Sequence, residues 1–315
     1  MVPRRAHHRH LRGHRADPAT HHRARHPRVW SRRAEVSDEP AESSGSAGSL
    51  GTARPREADL LTLYDNPFSP FARKVRMALG WKGVPFRSID ALALDERQRL
   101  LDVNPRAEVP VLVDGDVVVA DSSDIAAYLD DRFPSPPLLP ASPALRAKAR
   151  RWQRIADTAF DAIVHDLSLW SWPTHRRTDA PPAGLLDAGR RDLAKLLAAL
   201  DDALGATGFL CGGVSIAELA LFPHVSSLKL VGATLDGFPK VLRWNRDVRA
   251  LPVVRADLEH VKRSAFEKFA AGASPYEAEK VVWRGDRIEW VLANGYAEWF
   301  HTELASGRAV VPRPV

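Results

Sequence analysis

The stretch Leu60-Leu61-Thr62-Leu63-Tyr64-Asp65-Asn66-Pro67-Phe68-Ser69-Pro70-Phe71-Ala72-Arg73-Lys74-Val75-Arg76 carries a strand, a turn and the start of a helix. Leu60 to Tyr64 is a short apolar run that reads as a buried strand, broken at Asn66-Pro67. From Ser69 to Lys82 the apolar residues Phe71, Val75, Ala78 and Leu79 recur at helical spacing, and the stripe stops at Gly83. Ser69 with Pro70 behind it has the form of an N-cap with proline in the first turn.

Val84 to Ile89 reads as a strand and Asp95 to Asp102 as a short helix. Val109–Val113 and Val117–Ala120 flank Asp114-Gly115, a hairpin turn signal. Asp121 to Asp131 reads as a helix with Ile125, Tyr128 and Leu129 on one face. The order β-α-β-α-β-β-α over residues 59–133 is the layout of a thioredoxin-like α/β domain. Prolines punctuate a linker over 134–143. Beyond it the strand signals vanish. Ala144–Trp170, Leu185–Leu204, Ser215–Leu230 and Pro239–Lys262 carry a 3.6-residue period, so residues 144–268 are expected to form an all-helical domain. Ser215-Ile216-Ala217-Glu218 has the form of a capping box, and Pro223 should kink or shorten its helix. Residues 269–315 form an extension too aromatic for a free tail, with Trp283, Trp290, Tyr296, Trp299 and Phe300. Its Lys280–Trp290 stretch reads as a hairpin turning at Arg284-Gly285-Asp286. The extension is expected to pack on the helical domain or near a dimer interface.

Composition narrows the class. The chain of 315 residues has a net charge of +6, but residues 1–34 alone carry ten Arg against one Asp, so residues 35–315 sum to −3. A nucleic-acid partner inferred from the overall charge is therefore excluded. Those 34 residues also hold seven of the twelve His and too few apolar side chains to offset ordering entropy. They read as a disordered tail, or as sequence ahead of a true start near Val36, and residues up to 58 continue as linker. A metal-binding His tract, a nucleic-acid arm and a transit peptide are weaker readings, because neither regular His spacing nor an amphipathic period is present. No apolar run is long enough to span a membrane. The single Cys211 rules out a disulfide framework or a cysteine-based zinc site and suits a reducing cytoplasm. In Phe209-Leu210-Cys211-Gly212-Gly213 it reads as a small core residue.

Chemistry concentrates at Ser69. Redox proteins of this fold place Cys-x-x-Cys at this helix start, where the helix dipole and free amides stabilise a thiolate. Here the residues are Ser69-Pro70-Phe71-Ala72, without sulfur, which excludes disulfide exchange by the protein itself. A hydroxyl at that point can instead donate to a thiolate that a ligand brings, lowering its pKa from ~8.5 toward neutrality. Ser69 as a helix cap and nothing more is the competing account. Tyr64 is a second hydroxyl, although its place in the strand suits packing better.

Leu63-Tyr64, Ser69-Pro70-Phe71, Lys74-Val75-Arg76, Asn104-Pro105, Val109-Pro110-Val111-Leu112, Asp121-Ser122 and Ile125…Tyr128-Leu129 together resemble the cytosolic glutathione transferases of the serine type. Tau-like, zeta-like and many bacterial members share this arrangement. Phe209-Leu210…Ser215-Ile216-Ala217-Glu218…Phe222-Pro223 looks like the core helix of their all-helical C-terminal domain. The resemblance spans about 200 residues, and it is the set, not any one motif, that carries it.

The resemblance implies glutathione as cosubstrate, no metal, a small hydrophobic electrophile as second substrate and a cytoplasmic homodimer. Ser69 would hydrogen-bond the glutathione sulfur. Val109, before a cis Pro110, would pair its backbone with the cysteinyl unit. Asp121 and Ser122 would hold the γ-glutamyl end, the ammonium and the carboxylate respectively. Three positions depart from the pattern: Ala107 replaces a frequent Gly, Glu108 a frequent Lys, and Glu218 the usual Asp. The electrophile would lie between the domains, where Trp152, Phe160, His165, Trp170 and Trp172 fall. Peroxide reduction, dehalogenation, isomerisation or a non-catalytic binding role on the same scaffold are the alternatives.

Overall fold

In the computed structural model the described residues are 60–172, 175, 177–270 and 280–312. The basic tail and its linker lie outside them. A four-stranded sheet is built from β1 (Leu61–Asp65), β2 (Phe86–Asp90), β3 (Val111–Asp114) and β4 (Val117–Ala120), in the order β2-β1-β3-β4. β1 and β2 run parallel, while β1–β3 and β3–β4 are antiparallel. Helices α1 (Pro70–Lys82), α2 (Arg97–Val103) and α3 (Ser122–Arg132) complete a thioredoxin-like domain. Leu63, Val75, Leu79, Leu112, Ile125 and Leu129 are fully buried, and each such side chain contributes about 1.5–3 kcal/mol on transfer from water.

The second domain is helical. α4 (Pro143–Ile155) runs through a π-helical turn (Ala156–Phe160) into α5 (Asp161–Ser168), followed by α6 (Leu185–Ala203) and α7 (Ile216–Val225). Ser215 and Glu218 form the expected capping box, and burial pushes the Glu218 carboxyl up. Pro223 is accommodated inside α7, which ends two residues later. The Pro223 carbonyl accepts from the Ser226 and Ser227 hydroxyls at 3.2 and 2.8 Å. The long stretch from Pro239 is two helices, α8 (Pro239–Arg249) and α9 (Pro252–Phe269). Pro252 causes the break by holding Leu251 in extended backbone at ψ 135. Cys211 is buried in the core as a free thiol.

The extension departs from the expected hairpin. β5 (Val281–Val282) pairs in parallel with β6 (Ala309–Val310), and Gly285 opens helix α10 (Gly285–Ala293), which α11 (Ala297–Ala305) follows. Asp286 lies in the first turn of α10, where a carboxylate suits the helix dipole, and Val291 faces its core. Local turn propensity at Gly285 is thus outweighed by helix packing and by a strand partner far along the chain. Trp283, Val291 and Phe300 form a small core with Leu169 at the end of α5. Arg177 ties α11 down, bonding Glu303 at 2.5 and 3.1 Å while its guanidinium lies over the Trp170 and Trp299 rings.

The two domains are locked by a buried charge cluster. Arg76 donates to both oxygens of Asp65 at 2.7 Å and to Asp257 on α9 at 2.7 and 3.0 Å. Arg73 donates to the other Asp257 oxygen at 2.9 Å. All four side chains are buried. Removing one member strands charge away from water. Asp257→Ala is expected to lower stability by about 3–5 kcal/mol, read as the urea unfolding midpoint, because two buried guanidiniums lose their shared carboxylate. Asp257→Asn should cost less, since it keeps part of the hydrogen bonding.

Candidate active site between the domains

Asn66 shapes the loop that leads into α1. Its side-chain oxygen accepts from the amides of Phe68 and Ser69 at 3.0 and 3.1 Å, and its amide donates to Asp90 at 3.1 Å. This turn sets Ser69 as the N-cap of α1, where its hydroxyl accepts from the Ala72 amide at 3.4 Å. Because the oxygen is the acceptor in that bond, the hydroxyl proton remains available to a further acceptor. Tyr64 lies elsewhere, packed beside Ala91, Leu100 and Val111.

Ser69 opens onto a cavity of about 350 Å³ between α1, α5, the loop before β3 and the extension. Val109 lines the same cavity, and the Val109–Pro110 peptide is cis. Asp121 and Ser122 are not among its lining residues. Asp121 caps α3 by accepting from the Ser123 amide at 2.7 Å, in a left-handed backbone with φ 72. Ser122 is buried behind it. The Ser123 hydroxyl donates to Asp157 in the π-helical turn at 3.1 Å, and Lys74 of α1 meets the same carboxylate at 2.5 Å. Asp157 thereby links α1 to the start of α3, although of the expected site residues only Ser69 and Val109 reach the cavity itself.

The departures in the loop before β3 have structural counterparts. Ala107 adopts φ 53, a conformation that costs a non-glycine residue about 1 kcal/mol. Glu108 pairs with Arg106 at 2.8 Å and lies 3.9 Å from Arg284 of the extension. Of the aromatic candidates on the first long helix, Trp152 and Phe160 are core. Trp170 packs against both the main core and the extension. His165 and Trp172 do line the cavity.

Other lining residues carried no readable signal. Asp161, His175, His224 and Arg287 converge from four segments of chain. Arg287 donates to Asp161 at 2.8 and 3.2 Å, to the Val282 carbonyl at 3.0 Å, and lies 3.3 Å from the His165 ring. Burial alone would push Asp161 up, but Arg287 reverses this and holds its carboxyl below the ordinary range. Burial holds His165 well below its usual pKa, and Arg287 adds to the effect. The same burial lowers His175 and His224 to about 4, so these rings are neutral near pH 7. Among the described residues no group of three or more His, Cys, Asp or Glu is arranged to hold a metal ion.

Residues 63–137 match the model of the glutathione S-transferase N-terminal domain, and residues 183–246 match that of the C-terminal domain. Models of both glutathione S-transferase domains therefore match, one on the thioredoxin-like domain and one on the helical domain. A glutathione S-transferase from Rhodospirillum rubrum F11 superposes with a TM-score of 0.58 at 28% identity, covering 63% of this chain and 92% of that one. The chain is also 27% identical over 230 residues to a stringent starvation protein A homolog of Coxiella burnetii, covering 73% of this chain and 98% of the relative. FtsZ-localized protein A of Caulobacter vibrioides is 29% identical over 202 residues, covering 62% and 89%. Glutathione S-transferase Z2 of Arabidopsis thaliana is 46% identical, but over 90 residues only, 28% of this chain and 40% of the relative. Relatives of the transferase fold thus include transferases and proteins named for other roles.

The histidine burial has a pH signature. A ring at about 4 when folded and near 6.5 when unfolded takes up its proton more readily in the unfolded chain. Stability is therefore full above pH 6.5 and falls as the pH drops toward 4. His224→Gln should flatten the fall in unfolding free energy across that window by about 1 kcal/mol per pH unit, measured by urea titration at stepped pH.

Proposed function

We propose that this chain is a glutathione transferase in which Ser69 activates the thiol of bound glutathione for attack on a small electrophile. The observation that carries the reading is the Ser69 hydroxyl, held at the N-terminus of a thirteen-residue helix and lining an interdomain cavity together with Val109. Helix amides and a hydroxyl donor both favour a thiolate over a thiol. In this reading Val109 pairs its backbone with the cysteinyl unit, next to Pro110. Asp121 and Ser122 take the γ-glutamyl end at the start of α3, the ammonium falling to the Asp121 carboxylate and the carboxylate to Ser122 and the helix amides. The thiolate is the nucleophile and Ser69 stays unmodified. Matching of the first domain to the glutathione S-transferase model over 63–137, which spans all five of these positions, supports the assignment.

Homodimer formation belongs to the same proposal. The edge strand β4 leaves Val117 and Val118 45% and 49% exposed, an apolar edge of the kind that proteins usually cover. A cytoplasmic setting accords with the free, buried Cys211 and with the finding that no described helix is long and apolar enough to cross a membrane.

A second reading has its own support. The likeness to FtsZ-localized protein A, a relative named for its place with another protein, extends over most of that chain, and it favours a fold kept for binding a partner rather than for turnover. Glutathione binding separates the two. Under the transferase reading, glutathione binds calorimetrically and its thiol titrates below the ~8.5 of a free thiol when followed by thiolate absorbance. Ser69→Ala should return that titration toward the free value and lower kcat/KM by about 10²–10³, the cost of losing one preorganised donor to a developing or stabilised anion. Absence of glutathione binding to the native protein would leave the partner-binding reading in possession.

A further inference from the structure

The cavity lining carries an excess of positive charge. Five cationic side chains line it against two carboxylates, in a folded region that is otherwise mildly acidic. Arg106 is engaged by Glu108, and Arg287 by Asp161. The lining histidines are neutral and add no charge. The excess positive charge is contributed largely by the extension, from Lys280 and Arg284. Arg284 is one-third exposed, its guanidinium 4.4 Å from the centre of the Phe71 ring, two residues along α1 from Ser69. Its nearest carboxylate, on Glu108, is 3.9 Å away and already held by Arg106. The neighbouring walls are apolar, from Phe71, Val164, Trp172 and Val282.

We infer that the extension selects an anionic aromatic electrophile, its carboxylate held by Arg284 and Lys280 and its ring seated among Phe71, Trp172 and Val282. A guanidinium already stacked on an aromatic face presents its edge donors to a carboxylate at little further cost in rotamer freedom. The flat apolar walls beside it take the ring. The inference rests on the thiol-activating reading of Ser69 for its chemistry but not for its binding. With an aryl chloride as the electrophile, the thiolate sulfur bonds to the ring carbon bearing chlorine. The carbon–chlorine bond then breaks, and chloride leaves with the electron pair.

The test compares 4-chloro-3-nitrobenzoate with 4-chloro-3-nitrobenzamide, equal in shape and different in charge, in the full chain with and without glutathione. The carboxylate is expected to bind about tenfold more tightly than the amide, as one charge-assisted contact allows. Its advantage should shrink as salt rises. Arg284→Met and Lys280→Met should each cut that advantage about threefold or more, and Arg284→Lys should retain part of it. Equal binding of the two probes to the native protein overturns the inference. So does an Arg284→Met variant that loses glutathione affinity while keeping the benzoate preference, because the cation would then serve a carboxylate of the thiol cosubstrate. Benzoate preference without any glutathione binding upholds this inference and removes the transferase reading instead. If neither glutathione nor either probe binds, both fall.

Discussion

The placement of helix α1 depends on one buried cluster, Arg73 and Arg76 between Asp65 and Asp257. Asp65 ends the central strand, the arginines lie one turn apart on α1, and Asp257 belongs to α9 of the helical domain. Two cations and two anions cancel, so burial is tolerable only while all four are present. Arg73 Nη2 has no partner among the described residues, which shows how closely the available acceptors are used. Because the cluster fixes α1 against both domains, it also fixes Ser69 at the mouth of the cavity. Energetically such a cluster need not add net stability. What it specifies is orientation, since any rotation of α1 leaves a charge in a low-dielectric interior.

A second junction does comparable work on the far wall. Asp161 stands directly after the π-helical turn of the first long helix, and Arg287 of the extension binds it with two hydrogen bonds. π-helical turns shift the register of the side chains that follow them, and they recur at functional sites for that reason. Here the turn supplies Asp157 to the start of α3 and to Lys74, while α5 beyond it supplies Asp161 to the extension. The extension is therefore joined to the cavity by a buried ion pair and by its own aromatic core around Trp283.

Much of the fold was legible because its signals are local. The strand before Asn66-Pro67, the helix from Ser69, the Asp114-Gly115 hairpin and the Ser215–Glu218 capping box each depend on residues a few positions apart. Ser69 was legible as a site candidate for the same reason, through a helix start, whereas Val109 was named only through the family resemblance. Asp257, His175, His224 and Arg287 were not legible. Each is an ordinary residue in its own helix or loop and acquires its role only from partners more than a hundred positions away or from a cavity built by several segments. The expected hairpin at Arg284-Gly285-Asp286 failed on the same ground. A glycine turn signal is local, whereas the partner strand Ala309–Val310 lies beyond two helices.

By itself, then, the sequence determined the order of elements, the change from α/β to all-helical at the proline linker, and the hydroxyl at the head of α1. Those follow from backbone propensities and hydrophobic period, which act over a few residues. Tertiary structure decided which charges are buried, which histidines stay neutral, and that the C-terminal extension lines the cavity, with Arg287 paired to Asp161 in its wall. Those properties arise from desolvation and Coulomb interaction between groups distant in the chain, and such energies exist only once packing has excluded water between them.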